Sequence, residues 1–333
     1  MPFARAELVS AITPIEHLPN LSARLGIDLH IKRDDLAGTT MGGNKSRQLE
    51  YYLGAAQQKN AQTVLITGAV QSNFVRTAAA SAAKLGMRTI VQLEDRVPDV
   101  DALYGSNGNV LLARLLGAEV MRYAAGEDEA GADAALRERA EIERKAGRVP
   151  YVIPLALGNP PLGALGYMRA AEEVVSQDAD FDVVVIGSGS GLTHAGMLAG
   201  LRSIGHPARV IGSCVRRDAT QQTQRISTVL EALSELLGSK VPVTDADVVI
   251  WDGAFSPGYG QLGPSAAQAM AMMAQSEGIV LDPVYTAKVF AAIPALVDNG
   301  EIPEGSRVLF VHTGGLASLF AYQSSLENAF PHP

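Results

Sequence analysis

One cysteine, Cys214, is all that the 333 residues contain, so no internal disulfide can form and the chain suits a reducing compartment. A single thiol reads as a packing residue. Aromatic residues make up only 5% of a chain that is 47% hydrophobic and holds 33 glycines, which points to a core of Ala, Val and Leu joined by tight turns, and away from disorder. Basic residues are not in excess: 27 Lys and Arg stand against 35 Asp and Glu, a net charge of −8. That balance argues against a nucleic-acid backbone or an anionic membrane as the principal partner and leaves a small molecule. No apolar run approaches the ~20 residues that span a bilayer. Met1-Pro2-Phe3-Ala4-Arg5-Ala6-Glu7 shows no basic segment followed by an apolar core, so no secretory signal is expected and the protein reads as soluble and cytoplasmic. Metal-ligand spacing is also missing, and no Ser-His-Asp set suggests itself. His194 and His312 lie inside motifs, while His17, His30, His206 and His332 read as ordinary surface or packing residues.

Length allows two domains and a large core. Short β-branched runs alternate with alanine-rich amphipathic segments, the pattern of helices packed on a mostly parallel sheet. Strands are predicted at 29–32, 63–67, 88–93, 119–123, 151–153, 182–186, 209–213, 247–251 and 307–312. Helices are predicted between them, with Gly86 and Gly117 as stops after segments 78–85 and 110–116. The densely charged stretch from Gly126 to Arg148 reads as a solvated helix face. There is no repeat, low-complexity tract or long linker, so two lobes with a cleft between them are expected.

Three segments carry chemistry. In Met41-Gly42-Gly43-Asn44-Lys45-Ser46-Arg47 a lysine follows two glycines at the start of a helix predicted from about Arg47. A positive helix end and desolvation both favour its neutral amine, which suits Schiff-base formation with a carbonyl. In Ile186-Gly187-Ser188-Gly189-Ser190-Gly191-Leu192-Thr193 a buried strand runs through glycine and serine into a helix, a cradle for a phosphate or carboxylate. It is neither a dinucleotide fingerprint nor a Walker loop, and a single phosphate fits it better than a nucleotide. In Thr67-Gly68-Ala69-Val70-Gln71-Ser72-Asn73-Phe74 the pattern recurs; Ser72 and Asn73 are either helix caps or a site for a substrate carboxylate with a hydroxyl beside the reacting centre. Tyr259, between two glycines, and Tyr285, in Asp282-Pro283-Val284-Tyr285-Thr286, are either packed rings or cleft phenols. Thr313 follows the last strand, at the carboxyl end where α/β sheets bind ligands.

Together these segments resemble the pyridoxal 5'-phosphate (PLP) enzymes of the tryptophan synthase β-like fold, fold type II, and more narrowly the D-cysteine desulfhydrase and aminocyclopropane-carboxylate deaminase family. The resemblance covers nearly the whole chain in order: Thr13-Pro14-Ile15-Glu16, Ile31-Lys32-Arg33-Asp34-Asp35, Gly42-Gly43-Asn44-Lys45, Gln71-Ser72-Asn73, Leu162-Gly163-Ala164-Leu165-Gly166-Tyr167 and His312-Thr313-Gly314-Gly315. It implies a two-lobed α/β fold of mostly parallel twisted sheets flanked by helices. The large PLP-binding domain would comprise 1–45 and 156–333, with a small domain of 46–155 inserted in it. It implies that Lys45 holds the cofactor as a Schiff base, that Asn73 contacts its phenolic oxygen, that Ser190, Gly191, Leu192 and Thr193 hold its phosphate, and that Thr313 faces its ring. Ser72, Asn73, Phe74, Tyr259, Tyr285 and Thr286 would line the substrate side, with Lys45, Ser72, Tyr259 and Tyr285 catalytic. The partners implied are a small amino-acid substrate and a second copy of the chain in a homodimer.

Within that family the ring-opening deaminase is similar but carries glutamate and leucine where this chain has Thr286 and Thr313, so the resemblance favours the desulfhydrase branch. The implied reaction is β-elimination from D-cysteine to pyruvate, ammonia and hydrogen sulfide. L-Cysteate or another β-substituted alanine is the alternative, and a PLP-binding protein without catalysis is the rival of another class, which Ser72, Tyr259 and Tyr285 together disfavour. Phe74 departs from the family's histidine and bears on substrate choice rather than on cofactor binding.

Overall fold

The computed structural model describes residues 3–331 and resolves ten strands into two sheets. The strands are β1 (Ile15–His17), β2 (Asp28–Lys32), β3 (Thr63–Ala69), β4 (Arg88–Glu94), β5 (Glu119–Tyr123), β6 (Pro150–Ile153), β7 (Val183–Ser188), β8 (Arg209–Cys214), β9 (Val249–Trp251) and β10 (Arg307–Val311). All nine predicted strands are present within a residue or two of their expected ends. The tenth, β1, is three residues long and follows a proline, too short to show a period. His332 lies outside the described residues.

One sheet runs β1-β2-β10-β7-β8-β9, antiparallel only at the β1–β2 edge. The other runs β5-β4-β3-β6 and is parallel throughout. Parallel strands need both faces covered, and β3, β4, β7 and β10 are accordingly buried along almost their whole length. Each sheet has its own apolar core on either side, with Ile31, Val185, Phe290 and Phe310 on one face of the larger sheet and Val184, Ile186, Leu198 and Leu309 on the other. The smaller sheet is packed by Val64, Ile66, Phe74, Val75 and Leu93 on one side and by Leu65, Ile90 and Leu136 on the other. No helix among the described residues is long and apolar enough to cross a membrane.

The Lys45 helix, Asn44–Gln58, begins three residues earlier than expected, so the lysine occupies its first turn. A Cβ at Gly166 would stand 2.2 Å from the Arg47 carbonyl oxygen, so only glycine lets helix Leu162–Gln177 lie this close to the Lys45 helix. The charged stretch forms helix Glu129–Lys145, but its acids are not all solvated. Asp133 and Glu143 are buried, and Glu143 gathers Arg88, Arg139 and Arg148 around one carboxylate. Arg139 is an i,i+4 partner on the same helix, but Arg88 comes from β4 and Arg148 from the turn beyond the helix, and local charge spacing could not reveal those two.

Candidate active site

The carboxyl ends of β3, β7 and β10 meet at one cavity between the sheets. Lys45, Ser72, Asn73, Phe74, Ser190, Gly191, Leu192, Thr193, Tyr259, Tyr285 and Thr313 all line it. Thr286 does not. Its hydroxyl is buried against Asp282, donating to Oδ1 at 2.7 Å and accepting from the Asp282 N–H at 2.8 Å. Asp282 also accepts the N–H groups of Val284, Tyr285 and Thr286, so Thr286 serves the turn that presents Tyr285 and lies outside the cavity lining.

Helix Leu192–Ser203 starts at Gly191, whose φ of +98° is left-handed and whose position carries no side-chain cap. Its first N–H groups therefore open on the cavity beside Ser190, an anion site without a built-in anion. Thr193 adds a directed donor. Its oxygen accepts from Asn44 Nδ2 at 2.9 Å and from Gln48 Nε2 at 2.8 Å, which occupies both lone pairs and leaves the hydroxyl proton to be donated. Arg225 holds the loop from behind, donating from Nε to the Ser190 carbonyl at 2.8 Å.

Lys45 Nζ stands 3.4 Å from Gln48 Oε1 and 5.3 Å from the centre of the Phe74 ring. Burial lowers its amine to about 8 from an ordinary 10.5. Beneath it, Arg47 ties the helix to the end of β2 with two bonds to Asp34, from Nε at 3.0 Å and from Nη2 at 2.8 Å, and with two more to Glu173. Asp34 also accepts from Thr13 and from the Tyr167 hydroxyl. Burial alone would raise the Asp34 carboxyl, but Arg47 holds it below the usual range. Lys32 joins the cluster at Glu173, 2.6 Å away. Thr13, Lys32, Asp34 and Tyr167 thus form the floor that fixes the lysine's helix.

Ser72 caps helix Asn73–Lys84, accepting from the Val75 N–H at 3.3 Å, and its side chain also faces the cavity. Asn73 Oδ1 accepts from the buried Asn109 at 2.9 Å, which leaves its amide N–H pair to turn inward. Phe74 is both core and lining: its ring packs 6.2 Å from Tyr52 and only 6% of it is exposed. The Tyr259 and Tyr285 hydroxyls meet at 2.5 Å. Burial raises both phenols, Tyr285 further, while the fields of Arg96 and Arg216 pull Tyr259 back down. Cys214, buried with its thiol pushed up to about 12 by burial, is a packing residue, and His194, lowered to about 4 by burial, sits in the core against Ser188. The sequence reading missed Arg96, Arg216 and Arg225 in the lining and Gln48 and Asn109 behind it; Gln48, one turn after Lys45 on the same helix, carries a local signal, whereas the others reach the site across the fold.

Lysine, uncapped helix end, directed hydroxyl and aromatic wall fit a phosphorylated aldehyde cofactor. A family model described as "Pyridoxal-phosphate dependent enzyme" matches residues 7–314, and the chain belongs to that family. Its fold is fold type II and its cofactor is pyridoxal 5'-phosphate. Among curated relatives, D-cysteine desulfhydrase of Klebsiella pneumoniae is 40% identical over 327 residues, 97% of this chain and 98% of that protein. D-cysteine desulfhydrase of Yersinia pestis is 39% identical over 96% of each chain. A solved structure titled as an ACC deaminase homologue superposes with a TM-score of 0.88 at 38% identity, covering 98% of this chain and 97% of that one. A threonine deaminase from Solanum lycopersicum, at 18% identity and a TM-score of 0.64, shares the fold.

Proposed function

We propose that this chain is a β-eliminating lyase acting on a small β-substituted amino acid, with D-cysteine, converted to pyruvate, ammonia and hydrogen sulfide, as the substrate its relatives suggest. The observation that carries the reading is the convergence of Lys45, the Gly191 helix end and the Tyr259–Tyr285 pair on one cavity. The bound cofactor supplies an electron sink conjugated to the substrate's α-carbon.

The N–H groups at Gly191–Thr193 and the Thr193 proton would hold the phosphate. Asn73, oriented by Asn109, would offer its amide N–H to the cofactor's phenolic oxygen, and Thr313 would contact its ring. The substrate carboxylate sits at the start of helix Asn73–Lys84, where N–H groups and the helix dipole favour an anion. Lys45 Nζ, lowered by burial, or Ser72 Oγ in the same cavity wall would take the α-proton. Tyr259, the more acidic phenol of the pair, delivers a proton to the departing β-group.

We also propose that the protein works in the cytoplasm as a homodimer. Leu111, Leu115, Leu316 and Phe320 are exposed on segments that pack side by side, an apolar surface suited to a second copy. Sedimentation of the purified protein tests this.

The decisive experiment for the chemistry is borohydride reduction of the PLP-loaded protein, peptide mapping, and a pyruvate assay with both enantiomers of cysteine and other β-substituted alanines. The expected result is label on Lys45 and pyruvate from D-cysteine. Label on another lysine, or no pyruvate from any member of the panel, contradicts the reading.

A further inference from the structure

Strands β1 and β2 run antiparallel at the edge of the larger sheet, with helix Pro19–Leu25 between them, and their register sets His17 directly opposite His30. Asp28, two residues before His30 on β2, shares its face of the sheet. Its Oδ1 stands 2.9 Å from His30 Nε2 and 3.4 Å from His17 Nε2. One nitrogen of each ring and a carboxylate oxygen all lie within 4.8 Å of one another. Ligand atoms around a tetrahedral ion with bonds of about 2.0–2.1 Å are separated by about 3.3 Å, a value that the two measured distances bracket.

The surroundings suit a cation. His30 is only 12% exposed, and its ring meets Phe181 edge-on at 5.5 Å, which fixes its orientation. His17 and Asp28 are 49% and 44% exposed, so an ion reaches them from solvent. Arg307, opposite Asp28 on β10, lies 3.1 Å from Oδ2, the carboxylate oxygen not shared with the histidines. Its positive charge is matched by Asp178 at 2.5 Å and Asp180 at 3.8 Å, so three carboxylates surround one guanidinium and the local field still favours a cation. None of these residues lines the cofactor cavity. Asp28 begins β2, at the end of the sheet opposite the carboxyl ends that carry the candidate active site.

We propose that His17, Asp28 and His30 form a binding site for one zinc ion, which clamps β1 to β2 and closes the helix between them. Two imidazoles and one carboxylate are a donor set for zinc or a neighbouring late transition metal, whereas Mg²⁺ and Ca²⁺ take oxygen ligands. Water completes the fourth position, beside Ser22 Oγ, which is 3.2 Å from His17 Nε2. The ion takes the place of the protons that the rings share with the carboxylate, while Arg307 keeps Oδ2 and leaves Oδ1 to the metal. The role is structural, since an ion bound by the folded chain alone stabilises the fold. Thr13, just before β1, donates to Asp34, just beyond β2, so fixing the two strands also steadies the floor beneath the Lys45 helix. The site is independent of the substrate reading.

The test uses PLP-loaded protein, free of any polyhistidine tag and stripped with EDTA, titrated with zinc chloride by calorimetry. One ion per chain should bind with a dissociation constant of about 10 µM or tighter, weaker than the four-ligand zinc sites of small metallodomains. At a hundred times that constant zinc should raise the melting temperature by about 3–4 °C, and EDTA should reverse the rise. His17→Ala, His30→Gln and Asp28→Asn should each weaken binding by more than the roughly 10–100-fold that loss of an outer partner costs, and should abolish the thermal shift. Their bound PLP, measured by absorbance, should match wild type, which shows that the variants fold. Saturation only in millimolar zinc, or equal zinc affinity in wild type and His17→Ala, overturns the site. If His30→Gln fails to fold, His17→Ala, at an exposed position, and Asp28→Asn decide.

Discussion

In the proposed site the Thr193 hydroxyl would serve both the cofactor phosphate and the lysine's helix. Its oxygen accepts from Asn44 Nδ2 and Gln48 Nε2, and Gln48 in turn faces Lys45 Nζ. Thr193→Val keeps shape and removes the hydroxyl. Two losses should follow. The phosphate loses a hydrogen bond between a hydroxyl and a charged acceptor, about 1.5–3 kcal/mol, which corresponds to a roughly 10–150-fold weaker PLP dissociation constant. The amides of Asn44 and Gln48 lose their acceptor, and Gln48 is wholly buried, so the apoprotein should also lose ~1–3 kcal/mol of stability. PLP titration of apoprotein, followed by absorbance, gives the first quantity, and urea unfolding of the same apoprotein gives the second. Thr193→Ser should recover most of both. A Thr193→Val protein that binds PLP within about threefold of wild type would remove the hydroxyl from the phosphate site and refute the donor assignment.

Ser72→Ala should retain PLP yet lose turnover by ~10²–10⁴-fold; because the same oxygen caps a helix, a stability loss of about 1 kcal/mol should accompany it, and loss of stability alone would leave Ser72 a cap only. Phe74→His should raise activity on D-cysteine relative to other β-substituted alanines; unchanged ratios with a lower melting temperature would show that the ring merely fills volume beside Tyr52. Burial lowers Lys45 from 10.5 to about 8, so the unfolded chain binds the extra proton between those values and the apoprotein gains stability as pH rises through that window. Lys45→Met should abolish this gain, and the rate at which apoprotein colours with PLP should climb through about pH 8; a flat rate across that range counts against a buried amine as the reacting group.

Local signals reached far in this chain. Strands such as Thr63–Ala69 and Val183–Ser188 are β-branched runs closed by glycine, and their carboxyl ends lead directly into helices, so the lysine, the cradle and Ser72 were legible from neighbours in sequence. What escaped depends on tertiary register. Asp28 and His30 share one face of β2, but only the pairing of β1 with β2, which sets His17 opposite His30, brings His17 to them. Arg216 meets Glu127 and Glu129 directly, though a long stretch of chain separates them. Thr286, placed on the substrate side by the family resemblance, lies outside the cavity lining, because the turn built on Asp282 holds its hydroxyl inside the protein.

Glu129 has a further consequence. Its one carboxylate receives Arg216, Arg217 and Arg225, all from the larger-sheet side, while Glu129 itself begins the helix that covers the smaller sheet. Arg225 meanwhile holds the Ser190 carbonyl. The side of the larger sheet and that of the smaller are therefore tied through Arg225, the same side chain that steadies the loop at Ser190. Salt that weakens the tie should speed product escape and cofactor escape together. A change at Glu129, remote in sequence from every recognisable motif, would then pass in any assay for a defect in the cofactor pocket itself.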